Sequence, residues 1–201
     1  MKMLFAALAL TLATSSAALA FDSETQALVD IYKPGKPVSG ADMAQLMQSS
    51  EAWCYDRQDQ SCAWREIYLD ISGDDVSFEL SNNWDVDTDY AFTDKATLSG
   101  GQICQSGYNW IDNLRAIRRA DGSAIGGREL NDFKRTMAEA RPDLDSYDDC
   151  FDYVYLASDD ALETVTLRQR QYADGVYDAA NDVEVTVYFD AEAAKGLSLR
   201  E

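Results

Sequence analysis

From Trp64 onward the hydrophobic period of the chain is two, and this pattern confines much of it to β-sheet. In Trp64 to Ser72, Arg65, Ile67, Leu69 and Ile71 alternate with Trp64, Glu66, Tyr68 and Asp70. After Gly73-Asp74-Asp75, Val76, Phe78 and Leu80 alternate with Ser77, Glu79 and Ser81, which reads as a hairpin. Val183, Val185, Val187 and Phe189 repeat the pattern, with Glu184, Thr186 and Tyr188 on the other face. Shorter strands are expected at Tyr90 to Phe92 and Ala96 to Leu98, with Gly100-Gly101 turning the chain into Ile103 and Cys104. Further strands are expected at Phe151 to Leu156 and Thr164 to Tyr172, and residues 110 to 120 are read as the first arm of a hairpin through Asp121-Gly122.

Helical spacing is confined to a few places. Leu28, Val29 and Tyr32 mark one short helix that Pro34 ends, and Ser39 with Asp42 resembles a capping box for a second over residues 41 to 51. Leu130, Phe133 and Met137 define an amphipathic helix over about 128 to 140, stopped by Pro142, and a last helical turn is expected over Asp190 to Lys195. Strands and helices do not alternate regularly. The fold class expected is therefore α+β: a mainly antiparallel β-sheet or barrel-like meander, with short N-terminal helices and one mid-chain amphipathic helix.

The first twenty residues carry Lys2, an apolar run from Met3 to Ala13 and small residues at Ala18 and Ala20, the pattern of a secretory signal peptide cleaved before Phe21. The apolar run is shorter than the roughly 20 residues of a membrane span, and no later stretch could act as one. Residues 21–201 are then a single exported domain, periplasmic or extracellular and of bacterial style. Four cysteines fall in that part, and an even number in an exported chain favours two disulfides. Of the three pairings, Cys54 with Cys62 and Cys104 with Cys150 is favoured, because the polar stretch DRQDQS can turn between the first two. A zinc or thiol redox site would need a CxxC pair or a His, and the chain has neither.

Charge and missing residue types narrow the function. With 36 Asp and Glu against 17 Lys and Arg, the net charge is −19, and loss of Lys2 with the leader makes it one unit more negative. Such a chain repels polyanions, which argues against nucleic acid and anionic membrane surfaces. The charge is uneven: Arg115, Arg118, Arg119, Arg128, Lys134, Arg135 and Arg141 outnumber the acids Asp121, Glu129, Asp132 and Glu139 in the same segment. This island is either an anion-binding patch or a set of cations paired with neighbouring acids, and the second reading is the commoner outcome. The absence of His removes the Ser-His-Asp and Cys-His routes to a nucleophile.

Paired carboxylates are the remaining general catalytic option, and Glu66 and Glu79 sit on strands whose polar faces could line a cleft, against a strong background of ordinary surface acids. Asp85, Asp87 and Asp89 have the spacing of the first half of a calcium loop, but Tyr90 and Ala96 stand where Gly and Glu would be needed. Tyr153, Tyr155, Tyr172, Tyr177 and Tyr188 form an aromatic set that either covers a half-buried sheet or provides a contact surface. The function expected is that of an acidic, non-enzymatic exported domain that binds a protein or small ligand, with no cofactor. The alternatives are a small carboxylate-based hydrolase acting on a glycan, or a calcium-stabilised envelope protein.

Overall fold

The computed structural model describes residues 21–142 and 144–201, so the signal-peptide reading of residues 1–20 lies outside the described residues. The chain begins with α1 (Ser23–Ile31), β1 (Lys36–Pro37) and α2 (Gly40–Ser49). It then runs through β2 (Ala52–Tyr55), β3 (Ser61–Cys62), β4 (Trp64–Ser72), β5 (Asp75–Asn83), β6 (Thr88–Ser99) and β7 (Gln102–Ser106). An excursion follows, made of β8 (Arg115–Arg118), β9 (Ala124–Ile125) and α3 (Gly127–Ala140). The last part holds β10 (Asp148–Asp159), β11 (Thr164–Ala173), β12 (Val176–Tyr177), β13 (Val183–Tyr188), α4 (Ala191–Lys195) and β14 (Ser198–Leu199).

Eight of these strands close into an antiparallel barrel. Strand β2 pairs with β4, which is followed by β5, β6 and β7; β7 pairs with β10, which is followed by β11 and β13, and β13 returns to β2. The order around the barrel is the order along the chain, so the fold is a closed meander. Two tight turns help to set the register. Gly73, at φ 63°, is the first central residue between the paired Ser72 and Asp75, and Gly100 and Gly101, at φ 60° and 86°, join Ser99 to Gln102. Left-handed backbone at these positions matches the twist of the flanking strands and is cheap only for glycine.

An eight-stranded barrel has an interior wide enough to be filled by side chains or to hold one small ligand. Here one end is filled. Trp53, Tyr55, Val76, Phe78, Ala96, Tyr155, Val165, Leu167, Val185 and Val187 are buried in one cluster with Leu28 and Val29 of α1 and Met43, Leu46 and Met47 of α2. The two helices therefore close that end. Their caps follow from sequence: Asp22 accepts hydrogen bonds from the backbone N–H groups of Glu24 and Thr25, and the Ser39 hydroxyl accepts one from Asp42 N–H at 3.2 Å. The Tyr32 hydroxyl donates to the Asp42 carboxylate at 2.6 Å and ties α1 to α2.

Several expectations need correction. The alternation in β4 does not run unbroken, because Leu69 is an extra residue: Tyr68 pairs with Phe78 while Asp70 pairs with Ser77. This bulge changes the phase, so Tyr68 and Ile71 both pack on the core while Leu69 is 55% exposed. The two short strands expected between 90 and 98 are one strand, β6. The hairpin expected over residues 110 to 125 is smaller, with β8 ending at Arg118.

The outer wall carries charged and polar side chains such as Arg65, Ser77, Glu79, Thr93 and Lys95 around an apolar interior, the reverse of a barrel that faces lipid. No helix among the described residues is long and apolar enough to cross a membrane. Cys54 is bonded to Cys62, and Cys104 to Cys150. Two disulfides are consistent with an exported, non-cytoplasmic protein.

Candidate functional site

Toward the end away from the helices, the inward-facing rows turn from apolar to polar. On β5, Val76, Phe78 and Leu80 are followed by Asn82; on β7, Ile103 by Gln105; on β11, Val165 and Leu167 by Gln169 and Gln171. Of these, Leu80, Gln105, Gln169 and Gln171, with Trp64, Glu66, Arg141, Phe151, Asn181 and Val183, line a cavity of about 370 Å³ inside the barrel mouth. A second lobe of about 300 Å³ shares Trp64, Leu80, Gln105 and Arg141 with the first and runs outward past Asn82, Tyr90, Asp94, Trp110, Tyr147 and Asp149. The two lobes form one cleft.

The outer lobe exists because β6 divides its partners. Residues Thr88 to Ala91 pair with β8, and Thr97 to Ser99 pair with β7, so the intervening residues have no strand neighbour on that side. Asp94 lies in this gap, 3% exposed. Beside it, Phe92 stacks on Trp110 at 3.9 Å, within a cluster completed by Ile111, Leu114, Met137 and Leu144, which anchors α3 to the side of the barrel. The Tyr108 hydroxyl donates to the carbonyl of Thr93 and holds the crossing segment in place.

At the floor of the inner lobe sits Glu66, 5% exposed. Its Oε2 accepts hydrogen bonds from the hydroxyls of Tyr55 at 2.6 Å and Tyr68 at 3.1 Å. Tyr153 stands 3.2 Å from the Tyr55 oxygen and accepts a hydrogen bond from Gln169 Nε2 at 2.8 Å. Tyr55 also stacks on Trp64 with ring centroids 4.7 Å apart, which fixes the wall of the cleft to its floor. Burial pushes the Glu66 carboxyl up to about 7; the two tyrosine hydrogen bonds oppose the shift and the Asp94 carboxylate adds to it. Burial likewise raises Asp94 to about 6, against one hydrogen bond from Lys95 N–H at 2.6 Å. Tyr55, Tyr68 and Tyr153 are raised by burial first and the Glu66 charge second, so they remain neutral donors.

A groove of about 470 Å³ on the outer wall, lined by residues such as Ser77, Lys95 and Thr97, is larger, but none of the seven buried polar residues among the described residues lines it. Three of the seven, Glu66, Asp94 and Gln169, line the mouth cleft. Convergent polar groups in a concave, partly apolar site are what distinguish a binding site from a surface irregularity.

The residues singled out from sequence are distributed differently from the expectation. Glu66 belongs to the cleft and is no surface acid, whereas Glu79 is on the outer wall and pairs with Arg115. Asp89 pairs with Arg119 at 3.5 Å and Asp85 accepts a hydrogen bond from Asp87 N–H, so two of the three loop acids are engaged by the chain itself. Among the described residues no group of three or more acids or cysteines is placed to hold a metal. Of the basic island, Arg115, Arg118, Arg119 and Arg135 form ion pairs with Glu79, Glu129, Asp89 and Asp132, while Arg141 alone reaches the cleft.

Of the tyrosine set, Tyr153 and Tyr155 lie in the core, Tyr188 packs beneath the Cys54–Cys62 bridge, and Tyr172 and Tyr177 meet on the outer hairpin of β11 and β12. Asn82, Asp94, Gln105 and Gln169 carry a local signal, since each continues an inward-facing row two residues beyond an apolar member, and Gln171 extends the same row past Gln169. Searches against protein-family models, curated proteins and solved structures found no match. The function must be inferred from the chemistry of the cleft.

Proposed function

We propose that this is an exported, non-enzymatic binding protein, periplasmic or extracellular, that holds a small neutral hydroxyl-rich ligand, such as a mono- or disaccharide, in the open end of its barrel. The observation that carries this reading is the lining of the cleft. Five side-chain amides, Asn82, Gln105, Gln169, Gln171 and Asn181, surround the aromatic walls of Trp64 and Trp110. Amides donate and accept at once, as sugar hydroxyls do, and flat aromatic faces cover the apolar C–H faces of a pyranose. The charge of the site points the same way. Asp94 and Asp149 against Arg141, on a protein of net charge −19, disfavour an anion.

Calorimetry with glucose, galactose, N-acetylglucosamine, cellobiose and chitobiose tests the proposal. At least one is expected to bind, with little dependence on salt, and Trp64→Ala is expected to weaken that binding about tenfold or more, about 1.4 kcal/mol. Absence of binding by every sugar, or binding unchanged in Trp64→Ala, would sink it. A second reading has one observation in its favour. Glu66, raised to about 7, has the proton affinity a general acid needs and shares the cleft with Asp94. Release of sugar from a chromogenic glycoside, lost in Glu66→Gln and in Asp94→Asn, would replace binding by carboxylate-based hydrolysis.

A further inference from the structure

We infer that saccharide capture in the barrel mouth is coupled to a proton on Glu66, carried on Oε1 and directed at the bound sugar, so that the site fills with Glu66 neutral and empties as Glu66 ionises. The inference rests on the saccharide reading above and adds to it the state in which the site is competent.

The argument begins with the hydrogen-bond chain behind the carboxyl. A phenol has one proton. Tyr55 and Tyr68 both donate theirs to Oε2 of Glu66. Gln169 donates to the Tyr153 oxygen, which leaves the Tyr153 proton directed at the oxygen of Tyr55, 3.2 Å away. Every hydroxyl in the chain therefore points toward Oε2. With two donors on Oε2, the proton of a neutral Glu66 belongs on Oε1. No described residue hydrogen-bonds to Oε1, and Glu66 lines the inner lobe. The neutral acid thus presents an O–H to the cavity, where a sugar hydroxyl or ring oxygen can accept it.

Solvation supplies the coupling. Glu66 is 5% exposed, and the cleft is its route to water. A neutral sugar that fills the inner lobe displaces this water and brings no cation in exchange, so the ionised form loses more on binding than the neutral form does. The other groups around Glu66 do not take over its role. Tyr55 on β2, Tyr68 on β4 and Tyr153 on β10 stay neutral, and Asp94 on β6 adds repulsion to a charged Glu66. At the rim, burial raises Tyr147 to about 12, and Asp149 and Arg141 lie in the outer lobe. Burial also raises Asp94, to about 6, so it too ionises between pH 5.5 and 8.5, and variants distinguish the two acids.

Glutamine at this position reproduces the neutral acid: its amide oxygen can accept from Tyr55 and Tyr68 while its NH₂ donates into the cavity. The experiment is titration calorimetry at pH 5.5 and 8.5 with the tightest-binding sugar of the five-member panel, on the wild type, Glu66→Gln and Asp94→Asn. For an acid that titrates near 7, wild-type affinity should fall about 30-fold between these pH values, with proton uptake measurable in buffers of different ionisation enthalpy at pH 7.5. Glu66→Gln should bind close to the wild type at pH 5.5 and lose most of the pH dependence, whereas Asp94→Asn, which removes the repulsion that helps Glu66 keep its proton, should still lose affinity steeply at pH 8.5. A wild type with flat affinity and no proton uptake would overturn the inference and leave the saccharide reading standing. A Glu66→Gln protein that keeps the pH dependence would do the same. Failure of every sugar to bind the wild type at either pH would overturn both.

Discussion

Replacing Cys104 and Cys150 together by serine is expected to cost about 4 kcal/mol of stability, the largest loss from any covalent change in this chain. The bridge closes a loop with a sequence separation of 46, and the entropy removed from the unfolded chain grows with that length. Its position adds a local effect. Cys104 lies directly opposite Cys150 where β7, only five residues long, meets β10, and four residue pairs make up this contact. This is the seam at which the barrel closes after the long excursion through β8, β9 and α3. The Cys54–Cys62 bridge spans eight residues and should be worth about 2.5 kcal/mol by the same reasoning.

Urea unfolding measures the difference. With a slope of about 2 kcal/mol per molar, the midpoint should fall by about 2 M for the Cys104/Cys150 variant, clearly more than for the Cys54/Cys62 variant. Gln105 and Asp149, each adjacent to a bridged cysteine, line the cleft, so sugar binding should weaken in the first variant as well. Equal losses for the two variants, with amide exchange in β7 unchanged, would show that the seam has no special role.

How much of this could be read from sequence depended on whether one face of an element stays wet. The pair β4 and β5 announces itself because its outer face meets water, and alternation survives there. Strand β2 does not: Trp53 and Tyr55 point into the barrel, while Ala52 and Cys54 pack against Cys62, Tyr188, Leu197 and Leu199, so all four residues are buried and the period disappears. Without β2 the meander cannot be seen to close, because it is the strand that joins β13 to β4.

Glu66 was a candidate from sequence, but its burial inside the barrel was hidden for a related reason. It alternates with Ile67 and Leu69, so hydrophobicity alone places the wrong face inside, and only the aromatic companions Trp64 and Tyr68, with the bulge at Leu69, correct the orientation. The gap beside Asp94 depends on β6 exchanging one partner for another along its length, a long-range event with no local mark. The cap of α2, the end of α3 before Pro142 and the tight glycine turns are decided by neighbours in sequence, and these were readable.

Glu66→Gln is expected to stabilise the protein at alkaline pH and to leave it nearly unchanged in acid. In the unfolded chain Glu66 titrates at the ordinary carboxylate value of 4.5; in the fold it keeps its proton to about 7. Below 4.5 both states hold the proton and the residue adds no pH dependence. Between 4.5 and 7 the unfolded chain releases a proton that the folded chain retains, so stability falls as pH rises. Above 7 the fold carries a buried carboxylate and the loss is complete, about 3 kcal/mol for a shift of this size. Glutamine does not ionise and preserves the acceptor for Tyr55 and Tyr68, so the variant escapes this loss. At pH 8.5 its melting temperature should exceed that of the wild type by about 6 to 12 °C, and at pH 4.5 the two should nearly coincide. Comparing the pair at each pH cancels the repulsion among the many other acids, which both proteins share. A constant offset from pH 4.5 to 8.5 would mean that Glu66 is already ionised throughout, and the proton-coupled capture inferred for the barrel mouth would lose its physical basis.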